Sequence, residues 1–253
     1  MPLEHLHADR DRAESFGSSA EAYDQFRPGY PQALFDHLLA GPVRTALDVG
    51  CGTGKVALDL SRRGVRTLGI DPDQRMVAVA RRHGVDVEVA RFESWDDAGR
   101  RFDLITCGHS WHWIDPSTGP DKAARLLAPG GRIARFWNYH VVQAGLLGEF
   151  EASYAELAPT LSVIGRDPSG DVDATDPFGA HSAFTTAPPR TYRWHRRMTA
   201  AQWAGLIATF GDHRRLGPDR LGHLSSALQD AIERHGGVVT VDGGTYLLLA
   251  QRA

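Results

Sequence analysis

Along the chain, apolar residues gather in short runs set apart by stretches rich in Gly, Pro and charge. Five runs, at Thr45–Val49, Val65–Ile70, Val85–Ala90, Phe102–Cys107 and Arg132–Trp137, have the length and content of buried β-strands. Helical spacing lies between several of them, at Val56–Arg63, Gln74–His83 and Asp121–Leu127. Strands alternating with helices make right-handed βαβ units and a mostly parallel sheet covered on both faces. Upstream, Ser18–Phe26 reads as a helix that Pro28 breaks. Pro31 then opens a second helix, whose Leu34, Leu38 and Leu39 share one face. Pro129-Gly130-Gly131 reads as a turn into the fifth strand.

Regularity fails from Tyr139 to about Arg197, apart from a helix at Gly145–Leu157 and a loop through Gly165–Gly170. Helical spacing returns at Thr199–Phe210, with Thr199 suited to the N-cap, and at Asp219–His235. The chain closes on Val238–Val241, Asp242-Gly243-Gly244 and Thr245–Gln251, which reads as a β-hairpin giving the sheet an antiparallel last strand. The expectation is a doubly wound α/β fold of seven strands. A leader and lid helices occupy residues 1–40, a core 41–138 and a partly helical cap 139–198. Helices and the hairpin over 199–253 complete the sheet.

With 253 residues, 42% hydrophobic and 23% charged, the chain can bury a sizeable core, which excludes wholesale disorder. A formal net charge of −3 offers no global attraction to nucleic acid or to an anionic membrane. Cys51 and Cys107 alone build neither a disulfide framework nor a zinc site. No apolar run approaches membrane-spanning length, and the N-terminus lacks the basic-then-apolar order of a signal peptide. A soluble, cytoplasmic protein is expected.

Candidate chemistry begins at Leu47-Asp48-Val49-Gly50-Cys51-Gly52-Thr53-Gly54, between the first strand and a helix. Three glycines at alternate positions let the backbone turn sharply and let a ligand lie against main-chain atoms. A dinucleotide fingerprint would need a third glycine where Lys55 stands, and Asp48 would repel a pyrophosphate. The acid instead favours a cationic ligand such as S-adenosylmethionine, which carries a sulfonium and an amino group but no phosphate. Asp71, ending the second strand, can accept hydrogen bonds from ribose hydroxyls, or it can cap the next helix.

Leu47–Gly54 followed by Asp71 resembles motifs I and II of class I S-adenosylmethionine-dependent methyltransferases. Phe102-Asp103-Leu104-Ile105 and Leu127-Ala128-Pro129-Gly130-Gly131 match the family's fourth and fifth strand signatures. Phe16-Gly17-x-x-Ala20-x-x-Tyr23-x-x-x-Arg27-Pro28-x-Tyr30-Pro31 is similar to a small-molecule branch that includes trans-aconitate methyltransferase-like proteins, as is Trp111-His112-Trp113-Ile114-Asp115. The resemblance implies that Asp48, Gly50, Gly52 and Gly54 line the methionine part, Asp71 the ribose, and Phe92 and Glu93 the adenine. At the adenine turn the chain has Arg91-Phe92-Glu93 where the family often has Asp-Ala-Glu, so Phe92 fits the core equally well.

Tyr23 and Arg27 lie four apart on one helix face, and the resemblance folds that helix over the cofactor. Arg27 can then fork to the methionyl carboxylate, or it can stand as an ordinary surface Arg. After the fourth strand come His109, His112 and Asp115, at the end of the sheet where ligands sit. His109 and His112 are the catalytic candidates, since a His near neutral pKa can take a proton from an attacking hydroxyl or amine. His112 also serves as scaffold on a plainer reading, and the three side chains as a metal site on another; no metal is expected. Trp111 and Trp113 can hold substrate or pack in the core. No Asn-Pro-Pro-Tyr-like sequence follows the fourth strand and the Arg pairs are isolated, so the partner expected is a small molecule rather than nucleic acid. The rival readings are an NAD(P)-dependent oxidoreductase and a non-catalytic S-adenosylmethionine-binding module.

Overall fold

The computed structural model describes His7, Gly17 and residues 19–167 and 176–253. Most of the expected leader, with Phe16, Ser18 and Pro168-Ser169-Gly170, lies outside the described residues. The chain opens with α1 (Ala20–Phe26) and α2 (Gln32–Leu38). Four strands and three helices follow: β1 (Thr45–Val49), α3 (Lys55–Arg62), β2 (Arg66–Asp71), α4 (Gln74–Arg82), β3 (Asp86–Val89), β4 (Phe102–Gly108) and α5 (Gly119–Leu126). Then come β5 (Leu127–Val142), α6 (Ala144–Leu157), β6 (Phe184–Thr186), β7 (Arg190–Thr199), α7 (Ala200–Ile207), α8 (Gly211–Arg214), α9 (Pro218–Arg234) and β8 (Val238–Arg252).

The strands form one sheet in the order β3-β2-β1-β4-β5-β8-β6, with β7 also paired to β8. β1 to β5 run parallel and β8 is antiparallel to β5, as the alternating pattern and the chain's end predict. Seven strands were expected and eight form among the described residues. β6 and β7 share one edge of β8, β6 against its C-terminal end and β7 beyond it, so they occupy a single place in the sheet.

Two expectations fail at the far end of the sheet. The hairpin is absent: β8 runs unbroken through Asp242-Gly243-Gly244, which pair with β5 and β7. These glycines serve packing rather than turning. A Cβ on Gly243 would fall inside the Trp194 ring, and one on Gly244 inside the Tyr139 ring. The fifth strand also runs on to Val142 instead of stopping at Trp137, and β7 takes residues 190–199 into the sheet. The segment expected as cap therefore contributes strand at both of its ends.

The core has two centres. Around β1 to β5, residues such as Leu47, Ile105, Leu126 and Ile133 are fully buried, while Leu34, Phe35 and Leu38 of α2 close the opposite face. A second centre packs Leu146, Phe150 and Tyr154 of α6, Trp203 and Leu206 of α7, and Leu224 and Leu228 of α9 over Val142, Met198 and Val241. That layer stands beyond the C-terminal ends of β1 to β4, because β5, β7 and β8 outrun the shorter strands. Thr199 opens α7 with a full capping box to Gln202. Among the described residues no helix is long and apolar enough to cross a membrane.

Candidate active site

Between the strand ends and the helical layer lies a cavity of about 720 Å³. Its floor includes Gly50, Gly52, Asp71, Phe92 and Glu93, one wall His109, His112 and Trp113, and its roof Tyr23, Arg27, Leu161, Phe210 and His213. A polar recess of about 40 Å³ adjoins it, bounded by Asp48, Thr53, Tyr30, Asn138 and His140, with Tyr23, Arg27, Gly50, Gly52 and His109 shared.

The glycine loop takes the conformation its composition suggests. Gly50 and Gly52 have φ of +63° and +55°, and a side chain on Gly50 would strike Ser110. Ser110 in turn donates to the Val49 carbonyl at 2.5 Å, tying the loop to the segment after β4. Gly54, also at positive φ, lines neither cavity. A Cβ there would come within 2.8 Å of Val85 and 3.1 Å of Ala80, so this glycine packs the start of α3 against α4 and the residue ahead of β3.

Asp48 is buried; its Oδ1 accepts from Thr106 Oγ1 at 2.8 Å, and its Oδ2 has no partner. Burial pushes its pKa up to about 7, against the pull of the Thr106 hydrogen bond. Asp71 accepts from the backbone N–H groups of Gly52 and Asp73, both at 2.9 Å, so it clasps the glycine loop to the end of β2. Burial raises its pKa to about 6. The helix cap offered as its alternative role belongs to Asp73, whose carboxylate accepts from the Arg75 N–H. Asp73 also accepts from Gly17, pinning the chain just ahead of α1.

Phe92 is buried beside Trp111, as the core reading expects, and it also borders the cavity. Glu93 accepts from the Asp115 N–H at 3.0 Å, joining the turn after β3 to the turn after β4. Lys122, nearly buried, donates to the carbonyls of Glu93 and Trp95 at 3.2 and 2.7 Å and holds that turn from below.

Arg27 spends Nε and Nη2 on Thr209, at 2.8 and 3.3 Å, and stacks on Phe210 with 3.8 Å to the ring centroid. It is thus engaged with the helical layer rather than a surface Arg, and the Nη1 hydrogens and one on Nη2 remain outside these bonds.

His112 borders the cavity on a short helical turn, Trp111–Trp113, and its ring lies 4.8 Å from Trp113. His109 does not fit the role of proton acceptor. Its Nε2 accepts the Asn138 N–H at 2.8 Å, which leaves the ring neutral with its proton on Nδ1. Burial, with Arg27, His112 and His140 nearby, holds its pKa well below the usual histidine value. Trp111 joins the core, whereas Trp113 borders the cavity. Among the described residues no group of three or more His, Cys, Asp and Glu is gathered as a metal site.

Asn138, His140 and His213 join the site without a sequence signal noted for them. Asn138 and His140 alternate along the β5 extension, so a strand carried past Trp137 would have placed both at a ligand-binding strand end. Asn138 is fixed by Thr245 and by the Gly29 carbonyl. His213 meets the Tyr154 hydroxyl at 2.7 Å, and burial lowers its pKa to about 4. It comes from a four-residue helix with no periodicity to read.

Residues 46–131 match a methyltransferase domain family. An uncharacterized methyltransferase of Mycobacterium tuberculosis is 32% identical over 203 residues, 79% of this chain and 78% of that protein. A ubiquinone biosynthesis O-methyltransferase of Alkalilimnicola ehrlichii is 38% identical over 98 residues, covering 36% of this chain and 40% of that one. Among solved structures, a candidate type II methyltransferase from Anaeromyxobacter dehalogenans superposes with a TM-score of 0.67 at 26% identity, covering 90% of this chain and 98% of its own. None of these relatives singles out the trans-aconitate branch. With its sheet order, its glycine loop and these likenesses, the chain belongs to the class I S-adenosylmethionine-dependent methyltransferases.

Proposed function

We propose that the protein transfers a methyl group from S-adenosylmethionine to a small-molecule acceptor. The observation that carries this reading is the unpartnered, buried Oδ2 of Asp48, on a residue bordering a polar recess beside the glycine loop. A buried carboxylate without a counter-charge is costly, and a ligand ammonium relieves that cost. The amino group of the cofactor's methionyl end supplies one. A dinucleotide would instead bring a pyrophosphate toward Asp48 and Asp71, two buried acids, which disfavours the oxidoreductase reading.

The volume supports the same ligand. At about 720 Å³ the main cavity lies within the roughly 300–1,000 Å³ common for small-molecule sites. Asp71 keeps a lone pair on each oxygen for ribose hydroxyls, Phe92 and Glu93 flank the adenine, and Tyr23 and Arg27 close over the methionyl end. The ubiquinone-pathway relative agrees with a small acceptor.

When bound, the cofactor supplies an electrophilic methyl on a sulfonium. The chain's residues align and shelter. Trp113, Ile114, Leu161 and Phe210 exclude water from the cavity, and the rigid loop after β4 sets the approach of the acceptor. His112 stands on that loop to take a proton from a hydroxyl or amine acceptor.

Calorimetry tests the cofactor. Micromolar binding of S-adenosylmethionine and S-adenosylhomocysteine is expected, without comparable binding of NADH. Asp71→Ala weakens both by about tenfold or more, since charged hydrogen bonds contribute about 1.5–3 kcal/mol. Binding of NADH alone would overturn the reading. Mass spectrometry of a metabolite extract incubated with methyl-labelled cofactor tests transfer, and binding with no labelled product would leave the non-catalytic module.

A further inference from the structure

β4 and β5 pair in parallel up to Gly108 and Phe136, and the ladder takes one more step through His109 N–H to the Phe136 carbonyl at 2.9 Å. There the β4 backbone leaves the sheet, because His109 has φ of +56°, a left-handed conformation that non-glycine residues seldom take. The next β5 donor, the Asn138 N–H, would lose its partner. The His109 ring supplies it through Nε2 at 2.8 Å. The imidazole thus continues a main-chain ladder, and a backbone N–H cannot accept, so Nε2 is bare and Nδ1 carries the proton.

His109 borders both the main cavity and the recess, as Arg27 does. With Nε and one Nη2 hydrogen on Thr209, Arg27 has lost its side-on fork; the two Nη1 hydrogens and the other Nη2 hydrogen are what it has left. A carboxylate offers two oxygens. We propose that His109 is a fixed Nδ1–H donor which, with Arg27 Nη1, receives the carboxylate of the amino-acid end of the ligand whose ammonium Asp48 receives. This rests on the S-adenosylmethionine reading above and assigns the zwitterion's two ends to opposite sides of the recess. The titratable or charged groups facing the ring are Arg27 of α1, His112 of the turn after β4 and His140 of β5. None of them is an acid, and Asp48, which shares the recess, is met by the ligand's own ammonium.

The tautomer is read on the free protein. Long-range proton–nitrogen correlation spectra of histidine-labelled protein, assigned with His109→Gln, are expected to show Nδ1–H and a bare Nε2. That state persists from about pH 6 to about pH 8, and the Nδ1 proton shifts when S-adenosylhomocysteine is added. Binding of S-adenosylhomocysteine is then measured by calorimetry on two variants. His109→Gln keeps an acceptor for Asn138 and removes the Nδ1–H; a loss of about tenfold or more is expected. His109→Asn keeps a donor near the Nδ1 position, tolerates positive φ and drops the latch. It should bind within about threefold of the wild type while melting lower. A ring bearing Nε2–H, or one that protonates in that range, overturns the assignment, as does wild-type affinity in His109→Gln. Wild-type protein that binds no S-adenosylhomocysteine overturns the cofactor reading instead, whatever the tautomer.

Discussion

At the scale of single residues, the site is governed by what burial does to charge. Asp48 and Asp71 both bind protons more tightly in the fold than in the unfolded chain, with pKa values of about 7 and about 6 against an ordinary value near 4. The sign follows directly. Stability from these groups is full at low pH and is lost as pH rises from about 4 through about 7. Ligand affinity runs the other way, because Asp48 must ionise to hold an ammonium. Affinity for S-adenosylhomocysteine should therefore rise between about pH 6 and about pH 8 and then level, and Asp48→Asn should flatten that rise in a calorimetric pH series. On the proposed reading, His112 serves the reaction rather than ligand binding. His112→Gln should melt and bind cofactor like the wild type yet lose about 100-fold or more in turnover of a hydroxyl or amine acceptor. Retained turnover would remove the proton-acceptor role. Much of this scale is legible in the sequence, since Asp48, Asp71 and the glycines announce themselves by type and spacing. The role of His109 is not. No pattern in residues 105–115 tells which ring nitrogen a distant strand will claim, because Asn138 lies 29 positions away.

At the scale of elements, the alternation of apolar runs with helical spacing places β1 to β5 and their helices within a few residues, because each element carries its own period. The last strand misleads for a physical reason. Asp242-Gly243-Gly244 has turn composition, and only the rings of Trp194 and Tyr139, brought by two other strands, explain why glycine stands there in extended backbone. Gly243→Ala should accordingly cost about 1–3 kcal/mol, the usual range for overpacking, and lower the melting temperature by several degrees. Gly29→Ala is the control: nothing lies within 4 Å of its Cβ position, and little change is expected. The extension of β5 escaped the pattern because Asn138, His140 and the half-buried Tyr139 between them break the apolar run. Their polar character belongs to the site, so function masked the strand.

At the scale of the molecule, α1 is where the halves meet. It packs on α4 and α7, with Lys55 bound to the Asp24 carbonyl at 2.6 Å and Arg27 bound to Thr209. It is only seven residues long, too short to hold a helical shape without such contacts. Amide exchange over residues 20–30 should slow when S-adenosylhomocysteine is added, as a ligand beneath Tyr23 and Arg27 secures the helix; equal exchange in both states would exclude a closing role. The helical layer behaves differently, because β5 and β8, 16 and 15 residues long, pass from the sheet's core into the second centre without a break. Such a layer is a cantilever with no hinge at its root, which leaves α1 as the element for the exchange experiment to follow. The same build divides the cavity lining between two parts of the chain. The family match ends at residue 131, four residues into β5, and Thr160, Leu161, Ser162, Asp212 and Arg215, which border the far side of the cavity, hang from connections beyond it. On the proposed reading those positions are where the choice of acceptor would be written, on parts of the chain separate from the glycine loop that meets the methyl donor.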